Sequence, residues 1–266
     1  MEAVREAISG WAQDAKKHAG WLVVLGVVTV IAASPAAAQA PAGDAWKITV
    51  TPYFMGASMT GTTAVAGQEA TIDVSFSDLL KNLQFGAMGL VTARKGDWGV
   101  GGDVIWMSLG ANGTGPGAGL VTASADMNQG AFAFYGIRRL GPSADLFFGA
   151  RVNTLQSNLR FNGPITVRSA DGSKTWVDPI VGVQLRTPAN GKPVHAQIYT
   201  EIGGFGAGST FTWQIFPTVG VDLTKRASLE FGYRWLDINY SSGENTTLFK
   251  YDVLTQGPVL GFAFKF

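Results

Sequence analysis

From Trp46 to the C-terminus, large apolar side chains return at every second position in runs of about ten residues, with small, polar or charged groups between them. Such alternation marks a β-strand with two unlike faces, because successive side chains leave the backbone on opposite sides. The closing run Gly257-Pro258-Val259-Leu260-Gly261-Phe262-Ala263-Phe264-Lys265-Phe266 shows it most plainly. Leu260, Phe262, Phe264 and Phe266 share one face, while Val259, Gly261, Ala263 and Lys265 share the other. Phenylalanines at a fraying chain end gain nothing in water. Bulky apolar residues on one side with small or charged ones on the other suit a wall between lipid and a narrow lumen.

The same reading divides the rest of the chain. A first strand, about Trp46 to Met59, sets Trp46, Ile48, Val50, Pro52 and Phe54 against Lys47, Thr49, Thr51 and Tyr53. A long connection follows, in which Ser77-Asp78-Leu79-Leu80-Lys81-Asn82-Leu83 reads as a short capped helix. Further strands are predicted at about 85–95, 98–109, the last part of 120–140, 145–161, 174–186, 194–204, 211–223, 227–240 and 249–266. In the third, Trp98, Val100, Val104 and Trp106 oppose Asp103; in the eighth, Phe211, Trp213, Ile215, Val219, Val221 and Leu223 oppose Thr212, Gln214, Thr218 and Asp222. The second and fourth strands carry no clear apolar face, since Phe132 and Phe134 lie opposite Ala131, Ala133 and Tyr135.

Ten strands of about ten residues match what a tilted membrane strand needs, about nine to eleven. The fold class expected is therefore all-β, a transmembrane antiparallel up-and-down β-barrel over 41–266; splitting or merging one hairpin would give eight or twelve strands. Connections near 96, 142, 190 and 225 are short, and those near 65, 115, 167, 207 and 244 are mostly longer. That division fits periplasmic turns and outer loops, and an even count leaves both chain ends on the periplasmic side. A soluble β-sandwich also alternates, but it does not call for aromatics along the outer face of nearly every strand. Trp46, Trp98, Trp106, Trp213, Trp235 and Tyr233 are placed to form interfacial girdles.

Leu260, Phe262, Phe264 and the terminal Phe266 together resemble the C-terminal assembly signal of bacterial outer-membrane β-barrels, which ends in an aromatic residue after alternating apolar positions. Trp176-Val177-Asp178-Pro179-Ile180-Val181-Gly182, Ile202-Gly203-Gly204-Phe205-Gly206 and Phe231-Gly232-Tyr233-Arg234-Trp235-Leu236-Asp237 extend the likeness through most of the mature chain. The resemblance is to a broad, porin-like group of bacterial outer-membrane barrels with poorly defined activity. It implies an outer-membrane location, a membrane barrel, insertion by the barrel-assembly machinery, and no catalytic residue.

Ahead of the barrel stands the one long apolar run, Trp21 to Ala33, after Lys16, Lys17 and His18 and before Ser34-Pro35-Ala36-Ala37-Ala38-Gln39-Ala40. A basic flank, a short apolar core and an Ala-x-Ala site describe a secretory signal over 1–40, cleaved after Ala40. The alternative is a helix retained in the mature fold. No run reaches the ~20 apolar residues of a spanning helix. The absence of cysteine in 266 residues removes thiolate chemistry and suits an oxidising compartment. A formal net charge of +1 gives no footprint for nucleic acid.

Turning the apolar parity to lipid leaves Asp103, Arg151, Asp178, Glu201, Glu230 and Arg234 inside. All but Glu230 lie about six to nine residues from a short turn, near mid-height. Two readings follow: a mixed-charge network that plugs a small barrel, or a selectivity constriction for ions or small solutes. An outer-membrane lipid- or peptide-modifying enzyme would have to use His195, the one histidine left after the leader, which reads as a solvated residue at the periplasmic rim. No Gly-x-Ser-x-Gly elbow, zinc motif or phosphate loop occurs, so no cofactor or metal is expected. The outer loops offer a third reading, surface adhesion or lipopolysaccharide binding: Arg160, Arg168, Lys174 and Lys250 fall toward them, where they are candidate contacts to lipopolysaccharide phosphates, as partners alongside membrane lipid, or else ordinary solvated charges. Asp237, Glu244 and Asp252 match no calcium loop.

Overall fold

The computed structural model describes residues 45–65, 67–114, 122–162, 167–187 and 191–266. The proposed leader, 1–40, lies outside the described residues. The elements are strands β1 (Lys47–Met55), β2 (Ser58–Val65) and β3 (Gln68–Val74), a helix α1 (Phe76–Asn82), then β4 (Leu83–Lys95), β5 (Trp98–Thr114) and β6 (Thr122–Arg139). They continue with β7 (Ala144–Asn162), β8 (Val167–Arg186), β9 (Val194–Gly203), β10 (Phe211–Asp222), β11 (Ala227–Ser242) and β12 (Phe249–Lys265). From β4 to β12 each strand pairs antiparallel with the next.

The sheet closes on itself through β12. Its end pairs with β1, Val50 opposite Phe264 and Phe54 opposite Leu260, while its beginning pairs with β2, from Gln256 opposite Ser58 to Lys250 opposite Ala64. β1 and β2 are thus two halves of one wall strand, interrupted at Gly56-Ala57, and the structure is a closed barrel of 10 strands. β3 folds back on β2 and, among the described residues, pairs with nothing else. The chain turns tightly at Gly96, whose φ of 58° sits in the left-handed region that glycine tolerates.

Outward positions carry a continuous apolar belt. Phe134, Phe148, Val177, Ile202, Val219, Phe231, Leu260, Phe262, Phe264 and Phe266 are all exposed. Trp46 and Trp98 sit at the short-turn edge of this belt, and Trp106, Trp213 and Trp235 at the other edge. About eight residues separate the two rings on a strand, ~26 Å of path or ~20 Å at a 35–45° tilt, close to the ~25 Å of a membrane barrel's apolar band. Above the second ring the outward residues turn polar: Ser108, Asn128, Gln156, Ser173, Asp237 and Asn239. Phe132 and Phe134 point out and Ala131, Ala133 and Tyr135 point in, which fixes the strand that the sequence leaves unoriented.

Several boundaries differ from the sequence reading. The connection after the first strand contains the β2–β3 hairpin, β5 runs to Thr114 into the expected loop 110–119, and β8 begins at Val167 inside the expected connection 162–173. The residues added to β5 and β8 are mostly small or polar in the sequence, so little alternation betrays them, whereas β3 alternates Ala70, Ile72 and Val74 with Glu69, Thr71 and Asp73 in too short a run to stand out. The wall also has two breaks in pairing. β1 meets β4 only over Lys47–Pro52 and Gly89–Arg94, and β8 meets β9 only over Ile180–Arg186 and Gln197–Gly203.

Candidate functional site

The inward parity fills the lumen in three layers. At mid-height two ion clusters meet. Arg234 on β11 pairs with Asp103 on β5, Arg234 Nη1 donates to the Tyr53 hydroxyl at 2.6 Å, and that hydroxyl donates to Asp103 Oδ1 at 2.8 Å. Arg234 Nε donates to Gln214 Oε1 at 2.9 Å. Beside it, Arg151 on β7 pairs with Glu201 on β9 and donates to Thr212 Oγ1 at 3.3 Å, while Tyr199 donates to Glu201 at 2.6 Å. Both guanidinium groups are almost wholly buried, 1% and 2% exposed, so an unmatched charge here would be costly, and each is paired with a carboxylate.

Aromatic rings fill the space around the ions. Phe147 stacks on Tyr199 with centroids 4.3 Å apart, and Tyr135 leans on Phe147 at 5.2 Å. The Phe147 ring lies over Gly182, where a Cβ would come within 2.2 Å of it. Glycine at this inward position is therefore a steric requirement of the packing.

Toward the short turns the lumen widens into a vestibule of about 1000 Å³ that reaches the turn residues Pro142, Lys192 and Lys225. Asp145, fully buried, holds Arg94 and Arg186 together, and Gln184 accepts from Arg94 at 3.2 Å. On the opposite wall His195 Nε2 meets Glu230 Oε1 at 3.0 Å, Ser228 donates to the same oxygen at 2.7 Å, and Lys265 pairs with Asp222 at 2.6 Å.

Toward the loops the filling turns apolar. Met55, Met59, Ile105, Met107, Leu236, Ile238, Tyr251 and Val253 form one buried cluster, capped by Phe249 and by Trp176, whose ring stacks on Tyr240 at 4.1 Å. Asp178, with no exposed surface, accepts from Asn153 at 2.7 Å, from Ser209 Oγ at 2.8 Å and from the Ser209 backbone N–H. Trp176 Nε1 donates to Ser209 Oγ at 2.9 Å, so the loop 204–210 stitches the break between β8 and β9.

All six charges predicted to face inward do so, and the structure brings four of them together as two ion pairs. The expectation of one shared network is corrected for the other two. Asp178 stands opposite Arg151 in the β7–β8 register, yet Arg151 turns to Glu201 and Asp178 is satisfied by neutral donors. Glu230 sits lower and takes His195. That histidine, read as solvated, points into the vestibule. Ser228 donates to Glu230 and not to His195, so among the described residues no nucleophile is coupled to the imidazole. Arg94, Asp145 and Arg186 escaped sequence reasoning because they flank the short turns, where charges read as rim residues; the parity of Arg186 relative to Asp178 was the available signal.

Of the four basic residues predicted near the outer loops, Lys250 faces outward 3.7 Å from Asp252. Lys174 shares the inward parity of Trp176 and lies over the Phe249 ring at 6.0 Å, which corrects its placement as an outer contact. The side chains of Arg160 and Arg168 lie outside the described residues.

No family model matches the chain, and no curated protein matches it. Solved structures similar to it are outer-membrane β-barrels. They include Ail, the attachment invasion locus protein of Yersinia pestis, at 12% identity and a TM-score of 0.34 over 84% of this chain and 99% of that one. The translocator domain of the autotransporter NalP from Neisseria meningitidis matches at 11% identity and a TM-score of 0.37, over 94% and 98%. The toluene transporter TodX of P. putida matches at 8% and 0.30, over 85% and 91%. The fold itself rests on this chain's own strand pairing.

Proposed function

We propose that the chain is a bacterial outer-membrane β-barrel that seals its own lumen, a structural component of the membrane with no cofactor and no catalytic site. The observation that carries this reading is the mid-height layer, in which Arg234–Asp103 and Arg151–Glu201 cross the lumen among Tyr53, Tyr135, Phe147 and Tyr199. An apolar layer lies directly above it. Ions would have to break both buried ion pairs and then cross a packed, mostly apolar region with few polar groups.

The exterior supports the location. An apolar belt of bilayer height, edged by tryptophan and with polar residues beyond, has no use in water. Strand β12 ends with Leu260, Phe262, Phe264 and Phe266 exposed on one face, the form expected of a segment handed to the barrel-assembly machinery. Lys250, on the outward face of β12 toward the loops and 3.7 Å from Asp252, is the residue through which we propose a contact to lipopolysaccharide phosphate. The test is reconstitution of the refolded protein into liposomes: it should insert as a protease-resistant band and leave swelling in sugar solutions at the rate of empty vesicles. Failure to enter bilayers overturns the location, and rapid swelling overturns the seal.

A further inference from the structure

The break in pairing between β1 and β4 is closed by side chains alone. Above Pro52 and Gly89, among the described residues, no ladder joins 53–55 to 83–88. Helix α1 lies across the opening, against β2 and β5. Its hydrogen bonds are all local: Ser75 caps it by accepting from the Asp78 N–H, Asn82 bonds the Asp78 carbonyl, and Leu79 N–H bonds Ser75. Leu79 enters the opening and is buried, while Phe76 and Leu80 remain exposed beside Phe54 and Phe85. A unit held by one buried leucine and the contact of the Phe76 ring with Gly56, with local hydrogen bonds only, opens at lower cost than a wall strand.

Behind it the lumen is lined with methionine. Of the 6 methionines in the chain, all but Met1 face this apolar compartment: Met55, Met59 and Met107 are buried in it and Met88 and Met127 pack against it. Methionine side chains are unbranched and polarizable, and they accommodate varied apolar shapes. The one hydroxyl among the lining side chains, that of Tyr53, is already committed to Asp103 and Arg234. A cavity of about 60 Å³ lies between Leu79, Met55, Met88 and Met107, room for the tip of a chain but no more until Leu79 moves. Outside, the mouth opens level with Trp106, which pairs with Ala87, at the upper edge of the apolar belt.

We propose that this break is a lateral binding site for a linear hydrocarbon chain entering from the membrane, with helix α1 as its shutter and Leu79 as the plug. The side chains that line the site carry no charge, and their one hydroxyl, that of Tyr53, is already bonded, which selects against charged head groups and water-soluble ligands. The mouth lies in the wall at the upper edge of the belt and not at the short-turn vestibule, so the chain arrives sideways. The proposal rests on the membrane location argued above.

The chain has no cysteine, so Met107→Cys supplies a single thiol at the back of the site. In liposomes where insertion has been verified by protease resistance, this variant should react with N-dodecylmaleimide at least tenfold faster than with a sulfonated, membrane-impermeant maleimide. Leu79→Ala should accelerate the lipid-soluble reagent and Leu79→Trp should slow it. A phosphatidylcholine carrying maleimide at one acyl-chain end distinguishes a lipid tail from a free chain as the occupant. Equal rates for the two soluble reagents, rates insensitive to Leu79, or no labelling by any reagent of a thiol that reacts fully once unfolded would each overturn the site. Failure to insert is scored separately, against the location.

Discussion

Arg234 on β11 and Asp103 on β5 form a buried ion pair across the lumen, 131 residues apart in the chain, with the Tyr53 hydroxyl bonded to both. The pair joins opposite walls of the barrel and closes it at mid-height. Removing one partner strands the other charge, so Arg234→Ala should cost about 3–5 kcal/mol. Replacing both with apolar residues, Arg234→Met with Asp103→Leu, should recover most of that loss. Urea unfolding in liposomes, with both variants beside the parent, checks the sign of the recovery.

The outward belt makes a prediction of opposite kind, because it depends on depth and not on partners. Leu260→Arg places a cation on the belt's face and should destabilise by about 2–4 kcal/mol, whereas Gln256→Arg, higher on the same strand, should cost about 0–1 kcal/mol. A sandwich with those residues between two sheets would show no such gradient. The same unfolding assay reads it.

Gly182 supports the ring stack of Phe147 and Tyr199. A Cβ there would come within 2.2 Å of Phe147 and 2.1 Å of the Thr200 carbonyl oxygen, so Gly182→Ala should lose about 1–3 kcal/mol by overpacking. Gly141→Ala is the control, since nothing lies within 4 Å of its Cβ position. Thermal unfolding of the two variants should separate them clearly.

Asp178 anchors the loop 204–210 through Ser209, and that loop covers the break between β8 and β9. Asp178→Ala leaves Asn153 and the Ser209 N–H without their acceptor. Limited proteolysis from the loop side should then cut within 204–210 faster than in the parent protein.

Much of this architecture can be read from the chain because a barrel wall imposes one rule on every strand within the belt. Wherever the outer face meets an apolar phase, parity alone separates Asp103 from Trp106 and Arg234 from Trp235. The rule fails in three definable places. On β6 both faces carry aromatics, since Tyr135 lies inward over Gly101, where a Cβ would come within 2.3 Å of its ring, and only the partner strand reveals that space. On β3, Ile72 and Val74 alternate with Thr71 and Asp73 and pack on the apolar core, but the strand is only seven residues long and follows a run of threonine and glycine, so the hairpin reads as a connection. Pairing among inward charges depends on reach across the lumen and not on register: Arg151 ignores Asp178 opposite it and finds Glu201 one strand further on. In the triad, Arg186 is a diagonal neighbour of Asp145 on the paired strand, whereas Arg94 reaches it from β4, a strand that does not pair with β7.

Single-molecule conductance in a planar bilayer tests the sealed lumen most directly. The refolded protein should insert and leave the bilayer current at its baseline, and Arg151→Ala combined with Arg234→Ala should raise it by opening the mid-height layer. A stable open current from the unaltered protein would contradict the account, whatever the substitutions did.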